Sequence, residues 1–317
     1  MALPTESEEV WRYSGIDGFD LDAFEPAPSP AAARDGGSDL ALGKELAAPF
    51  GERCALVVTR DGSVSAVELL PSLPEGALEL SSARGRSDEP AAPPGLGELG
   101  RARDAFGALH DAFMSDAVLI DVRPKAVIGQ PVVVVHLVST AGVATGGEGD
   151  AARAPSCFPR TRVRLGRSSQ AGVIELLASA DTVPRGSQPG ASLVVPITEM
   201  DLADDAHLAY ANVQVLGRGS TQIALQASRV GTDGVLRSLT AALGGGYARV
   251  RTDSDLHGQG AESSLLAAYL GTGSQVHDFR TLQDHHGRRT RSELLFKGAV
   301  ADEAHSVYSA LIRIARG

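Results

Sequence analysis

Histidine and carboxylate side chains together can hold zinc or iron, and this 317-residue chain gathers them near its end, as His277-Asp278 followed by His285-His286. His277, Asp278 and His285 are the candidate metal ligands. Adjacent residues of a strand point to opposite faces, so at most half of this set can converge. His285 and His286 also stand just before Gly287, where a turn would expose them. Turn and strand residues without a metal are therefore the preferred reading. A second charged group, Arg249, Arg251, Asp253, Asp255 and His257, falls on one face of a single strand, with Val250, Thr252, Ser254 and Leu256 on the other. It could offer a partner or a cation a charged strip. A solvated face whose charges pair with neighbouring strands is the simpler expectation.

Other motifs lack their context. Gly95-Leu-Gly97-Glu-Leu-Gly100 spells a dinucleotide fingerprint, but Ala91-Ala-Pro-Pro94 cannot be the buried strand that must precede it. Gly43-Lys44 is one residue too far from Gly37 for a phosphate-binding loop, and Glu45 replaces the hydroxyl that would hold magnesium. No G-x-S-x-G or H-E-x-x-H segment occurs. Lys297 points away from Leu294 and Phe296 and reads as a surface lysine. Cys54 and Cys157 form neither a disulfide framework nor a metal knuckle. No catalytic or cofactor-binding residue is assigned.

The elements that would position these groups are short strands. Glycines at 217, 231, 244–246, 258–260, 271–273 and 287 punctuate strand-like runs at a nearly constant step, which suggests strand-and-turn layers stacked on one another. Alternation puts one buried face on each strand. The odd positions His207 to Val215, and Ile223, Leu225 and Ala227, are expected inward, with Gln222, Gln226 and Ser228 outward. Such a pattern fits an antiparallel sandwich or a solenoid; the even step favours the solenoid. Hydrophobic content of 43% is that of a globular protein, aromatics are scarce at 4%, and the net charge of −10 argues against nucleic acid or an anionic membrane as partner. The acidic N-terminus lacks a signal-peptide core and no apolar run is long enough to span a membrane, so a cytoplasmic location is expected.

Along the chain, residues 1–38 read as a short element and linker, with Glu8 to Tyr13 starting a helix and Trp11 and Tyr13 as anchors. Residues 39–115 read as a small α/β region. It holds a helix from Leu40 to Ala48, strands Cys54 to Thr59 and Ser63 to Leu70 around an Arg60-Asp61-Gly62 hairpin, a polar gap at 82–94 and an amphipathic helix from Leu99 to Met114. Residues 116–317 form the β core, with a buried strand at Pro131 to Val138 and a polar insertion from Gly142 to Pro159.

Several ordered segments resemble signatures of the SufB/SufD family: Ser7 to Tyr13, Ala241 to Gly245, Leu256 to Glu262, His277 to His285, Ser292 to Gly298, and the run Phe106 to Val138. The acidic Trp-Arg-Tyr start is most like SufD. The resemblance implies a mainly β fold, a right-handed parallel β-helix behind a small N-terminal α/β region. It implies a non-catalytic scaffold subunit of the SUF iron–sulfur cluster assembly complex, pairing through β-helices with a SufB-like subunit and recruiting a SufC-like ABC ATPase. The cluster would be assembled transiently on the complex, with no cofactor held stably by this chain. Family members continue past the equivalent of Ile312 to Ala315 into further layers and a helical region, so the chain reads as lacking the C-terminal region. A β-helix lyase or hydrolase acting on polysaccharide is the alternative; it would need clustered carboxylates and aromatic platforms, and aromatics are few.

Overall fold

The computed structural model describes residues 2–28, 36–73, 75–84, 95–142, 152–180 and 190–315. The fold is mainly β. Successive strands alternate between two sheets, and nearly all pairings are parallel. On the first sheet, Ser220–Val230, Tyr247–Leu256, Val276–His285 and His305–Ile314 lie side by side in register. On the second, His207–Val215, Val235–Ala242, Glu262–Gly271 and Arg291–Val300 do the same. One coil is therefore two strands, and Asp278 sits beside Arg249 at a separation of 29 residues. The expected layer of one strand is corrected to a half-coil, because each strand stacks on the strand after next. This arrangement is compatible with the solenoid expected.

The N-terminal region is continuous with these sheets. Ala55–Arg60 pairs in parallel with Val132–Val138 and antiparallel with Ser63–Leu69. The hairpin between them turns on Asp61 (φ 49°) and Gly62 (φ 86°), the two positive-φ positions such a turn needs. Leu78–Ser82 runs antiparallel to Val118–Val122. Gly36–Ala47 is a helix that packs its leucines on Val133, Val135 and Leu137 of the second sheet, and Pro49 tightens its end into a short 3₁₀ turn.

Several expectations are corrected. Residues Glu9–Trp11 form only a single 3₁₀ turn; Trp11 is buried, but Tyr13 is 70% exposed and anchors nothing. The second helix spans Ala105–Phe113 rather than starting at Leu99, because Asp104 caps it by accepting from Gly107 N (3.0 Å). Within the supposed insertion, Ala154–Cys157 is a largely buried strand paired with Phe24–Pro26; residues 143–151 lie outside the described residues, as do 85–94 of the polar gap and 29–35 of the linker. Pro159 and Pro196, which have no N–H to donate, stand between Ala154–Cys157 and Arg160–Leu165 and between Ser192–Val194 and Ile197–Leu202.

The inward and outward faces are also inverted. In His207–Val215 the buried residues are Leu208, Tyr210, Asn212 and Gln214. In Ser220–Val230 the interior receives Ala224, Gln226 and Ser228, with Gln226 reaching Thr240 and Ser228 reaching Ser254. Ile223 points outward and is buried all the same, because Trp11 and Phe106 lie over it. In the middle of Ser220–Val230 polar residues line the interior and apolar ones the covered exterior, so a hydrophobicity alternation there selects the wrong face.

At one corner of the stack successive coils place a residue in left-handed backbone conformation: Lys125, Ser168, Asp205, Asp233, Gly260 and Arg289. The N–H groups of the first five donate to the next coil at Arg167, Asp204, Thr232, Gln259 and Arg288 (2.8–2.9 Å). Beside this corner the turns approach so closely that a Cβ on Gly287 would stand 2.0 Å from the carbonyl oxygen of Gly258. Gly287→Ala should therefore destabilise the fold by about 2 kcal/mol or more in urea unfolding. Gly129→Ala, which meets nothing within 4 Å, should stay within about 0.5 kcal/mol; equal effects would discard the close-approach account.

Candidate functional site

The strands Tyr247–Leu256 and Val276–His285 bring most of the candidate residues to the first sheet, on two opposite faces. His277, Phe279, Thr281, Gln283 and His285 face the interior; Asp278, Arg280, Asp284 and His286 share the outer face with Arg249, Arg251, Asp253, Asp255 and His257. The three proposed ligands do not converge. His277 Nε2 lies 3.1 Å from the Leu270 carbonyl, and burial lowers its pKa, which favours the neutral imidazole. His285 is half-buried rather than exposed in a turn, with Thr290 Oγ1 at 2.7 Å and Ser292 Oγ at 3.0 Å from its two ring nitrogens. Asp278 is fully buried between Arg249 and Arg280 (Arg280 Nε, 2.6 Å). Among the described residues no group of three or more His, Cys, Asp or Glu is arranged to hold a metal ion. Lys297 is exposed.

The charged strip pairs with the neighbouring strand, as Arg249 does with Asp278, but it is solvated only in part: His257 is exposed. Arg249 is 2% exposed and Asp253 7%, because the N-terminal segment and the stretch before helix Ala105–Phe113 lie over them. Arg249 stacks under the Trp11 ring at 3.7 Å and donates to the Val10 carbonyl; Arg280 donates to the Arg12 carbonyl at 2.6 Å. Burial lowers the Arg249 pKa, and Asp278 and Tyr247 act in the opposite direction. Two guanidinium groups thus hold the backbone on either side of Trp11, and the indole completes the cation–π contact.

The glycine motif binds an anion, but an internal one. Gly97, Leu99 and Gly100 direct their N–H groups at the Glu199 carboxylate (2.7–2.9 Å), which Arg160 also contacts at 3.0 Å. Arg160 reaches on to Asp111 of the helix at 3.2 Å. The loop is therefore a tether between helix and sheet, as its missing strand implies. What the sequence does not announce is Glu199, whose role becomes visible only when a distant strand is placed under the loop.

Toward the ends of these strands a cleft of 320 Å³ is lined by Glu98, Arg103, Asp253, Asp255, Asp284 and Arg313. Parallel register sets Asp255 directly beside Asp284. Asp284 takes Arg313 and His286 (Nε2 at 3.0 Å), and these hydrogen bonds hold its carboxyl below the ordinary range. Burial raises Asp255, whose nearest imidazoles stand 3.9 Å away. Elsewhere the thiols are suppressed: burial pushes both Cys54 and Cys157 up, so neither presents a ready thiolate.

The model of the SUF system FeS cluster assembly SufBD core domain matches residues 147–317. An iron–sulfur cluster assembly SufBD family protein of Mycobacterium tuberculosis is 26% identical over 213 residues, covering 67% of this chain and 48% of that protein. A SufBD family protein of Mycobacterium leprae is 34% identical over 86 residues, 25% of this chain and 22% of its own length. The chain spans about half the length of the M. tuberculosis relative.

His110 supplies a test of how the covering helix is held. Its Nδ1–H donates to the Val195 carbonyl (2.8 Å), while burial, helped by the charge of Arg160, pushes the imidazole down to about 3. Between pH 6.5 and about 3 the unfolded chain binds a proton that the folded chain does not. This group therefore withdraws stability as the pH falls through that window, by at most about 1.4 kcal/mol per pH unit. His110→Gln, which keeps a donor for Val195, should flatten the pH dependence of the urea midpoint between about pH 6.5 and 4.5; an unchanged slope would place the acid sensitivity elsewhere.

The family model covers more than half of the chain, and its strands stack in parallel over the same residues: the chain belongs to the SufBD family of iron–sulfur cluster assembly proteins.

Proposed function

We propose that this chain is a non-catalytic, SufD-like scaffold subunit that works in the cytoplasm with a SufB-like subunit and a SufC-like ABC ATPase. The observation that carries the reading is the SufBD core match over residues 147–317, the part of the chain whose side chains form ladders rather than a converging catalytic set. The charged residues that could have made a site are committed to one another: Arg249 to Asp278, Arg160 to Glu199, Arg229 to Asp201. In this reading the iron–sulfur cluster is cargo of the assembly, nucleotide chemistry belongs to the ATPase, and this chain contributes shape and contact surface. No helix among the described residues is long and apolar enough to cross a membrane.

The test is coexpression with SufB and SufC, with this chain tagged, beside a version extended at its C-terminus by the corresponding region of a longer relative. The extended chain is expected to capture both partners; capture of neither would overturn the scaffold reading. Replacing Cys54 and Cys157 together by Ser should leave that capture unchanged, since both thiols are buried.

A further inference from the structure

In the early coils, the outer face of the first sheet carries a cleft of 420 Å³ whose charged lining is Glu79, Asp121 and Asp201 with Arg123, Arg162 and Arg164. Register sets four of these in one row: Glu79 beside Asp121, Asp121 beside Arg164, and Arg164 beside Asp201. Row position alone would hand Arg164 two carboxylates. Neither takes it. Asp121 accepts from Arg162 Nη2 at 2.6 Å, and Asp201 accepts from Arg229 Nε and Nη2, both at 3.0 Å. Glu79 accepts from Arg123 Nη2 at 2.9 Å. Each carboxylate of the cleft is thus answered by another guanidinium, and among the described residues the Arg164 guanidinium has neither ion pair nor hydrogen bond.

The walls around Arg164 are fixed. Arg162 is 3% exposed, so its pair with Asp121 is held in place. Val122 and Leu165 are anchored in the core beneath. At the floor a Cβ on Gly166 would stand 2.5 Å from Pro124 N, so these two turns meet with no side chain between them. Once Arg229 is counted, the cleft carries one positive charge in excess. A guanidinium with its donors unengaged matches the two oxygens of a carboxylate or phosphate. The three carboxylates close by disfavour a polyanion. The volume lies within the ordinary range of small-molecule sites, about 300–1,000 Å³, and leaves room for more than the oxyanion itself.

We propose that this cleft binds a small molecule through a single oxyanionic group, phosphate or carboxylate, seated on Arg164 with Arg123 at its edge. Binding is a property of this chain alone and needs no SUF partner.

Calorimetric titration of the full chain with inorganic phosphate, and separately with acetate, at constant ionic strength, is expected to show saturable binding. The tighter-bound probe names the source of the oxyanion. Arg164→Gln should weaken that binding about tenfold or more, as loss of a charge-assisted hydrogen bond does. Its circular dichroism spectrum should not change, since Arg164 supports no other side chain. Glu79→Gln removes a competing carboxylate and releases Arg123, so it should tighten binding about threefold, the scale of an exposed ion pair. Arg167, an exposed guanidinium outside the cleft, is the control, and Arg167→Gln should leave binding unchanged. No saturable binding of either probe, binding indifferent to Arg164→Gln, a Glu79→Gln variant that binds no tighter, or equal weakening by Arg167→Gln would each overturn the proposal.

Discussion

Parallel stacking in strict register is the constraint on which this molecule depends. It makes every side chain the neighbour of one residue on the coil before and one on the coil after. A slip of one position would send every interior group to the outside and break all the ladders at once. On the outer face of the first sheet this produces a continuous line, Asp121, Arg164, Asp201, Arg229, Asp255, Asp284 and Arg313, each beside the next. The alternation of sign through most of that line gives the register an electrostatic component. Burial gives it a steeper one.

Inside, the same constraint gathers polar groups from several strands. Glu175 is fully buried, yet His136, Thr198 and Tyr210 all reach it, and His136 is in turn joined to Thr59 at 2.8 Å. Burial alone would raise the Glu175 carboxyl; the hydrogen bond and charge of His136, with hydrogen bonds from Thr161 and Tyr210, outweigh it and hold it below the ordinary range. Burial first, and then the charge and hydrogen bond of Glu175, push Tyr210 well up. A buried carboxylate costs several kcal/mol unless its lone pairs are met, so this hub acts as a lock on register: no neighbouring alignment would bring these partners together.

Much of the fold was legible because strands and turns carry local signals. The hairpin at Asp61-Gly62, the run Val132–Val138 and the punctuation of the last third follow from turn chemistry and β-branched content. Facing was not legible in the same way. Alternation reports two faces, but Ile223 and Arg249 are buried by segments more than a hundred residues away, Trp11 and Phe106. No local window contains that information. The glycines misled in a subtler way: in the column of left-handed corners from Lys125 to Arg289, Gly260 is the one glycine, whereas Gly258 and Gly287 are required by the close approach of consecutive turns. The separation of the candidate ligands was legible, because adjacent residues of a strand face opposite ways: His277 lies inside with Nε2 at the Leu270 carbonyl, and Asp278 outside with Arg249.

Register also decides where such a surface carries unevenly compensated charge. The outer line alternates in sign until Asp255 meets Asp284, where stacking forces two carboxylates side by side. The molecule resolves this unequally, assigning Arg313 and His286 to Asp284 and leaving Asp255 the more weakly compensated. A single strand read alone would count both aspartates as solvated charge. Read across coils, they form one uneven step in a line that otherwise alternates in sign. In a stack of this kind a contact surface is a property of a row, so its chemistry changes when a coil is shifted even though no residue is altered.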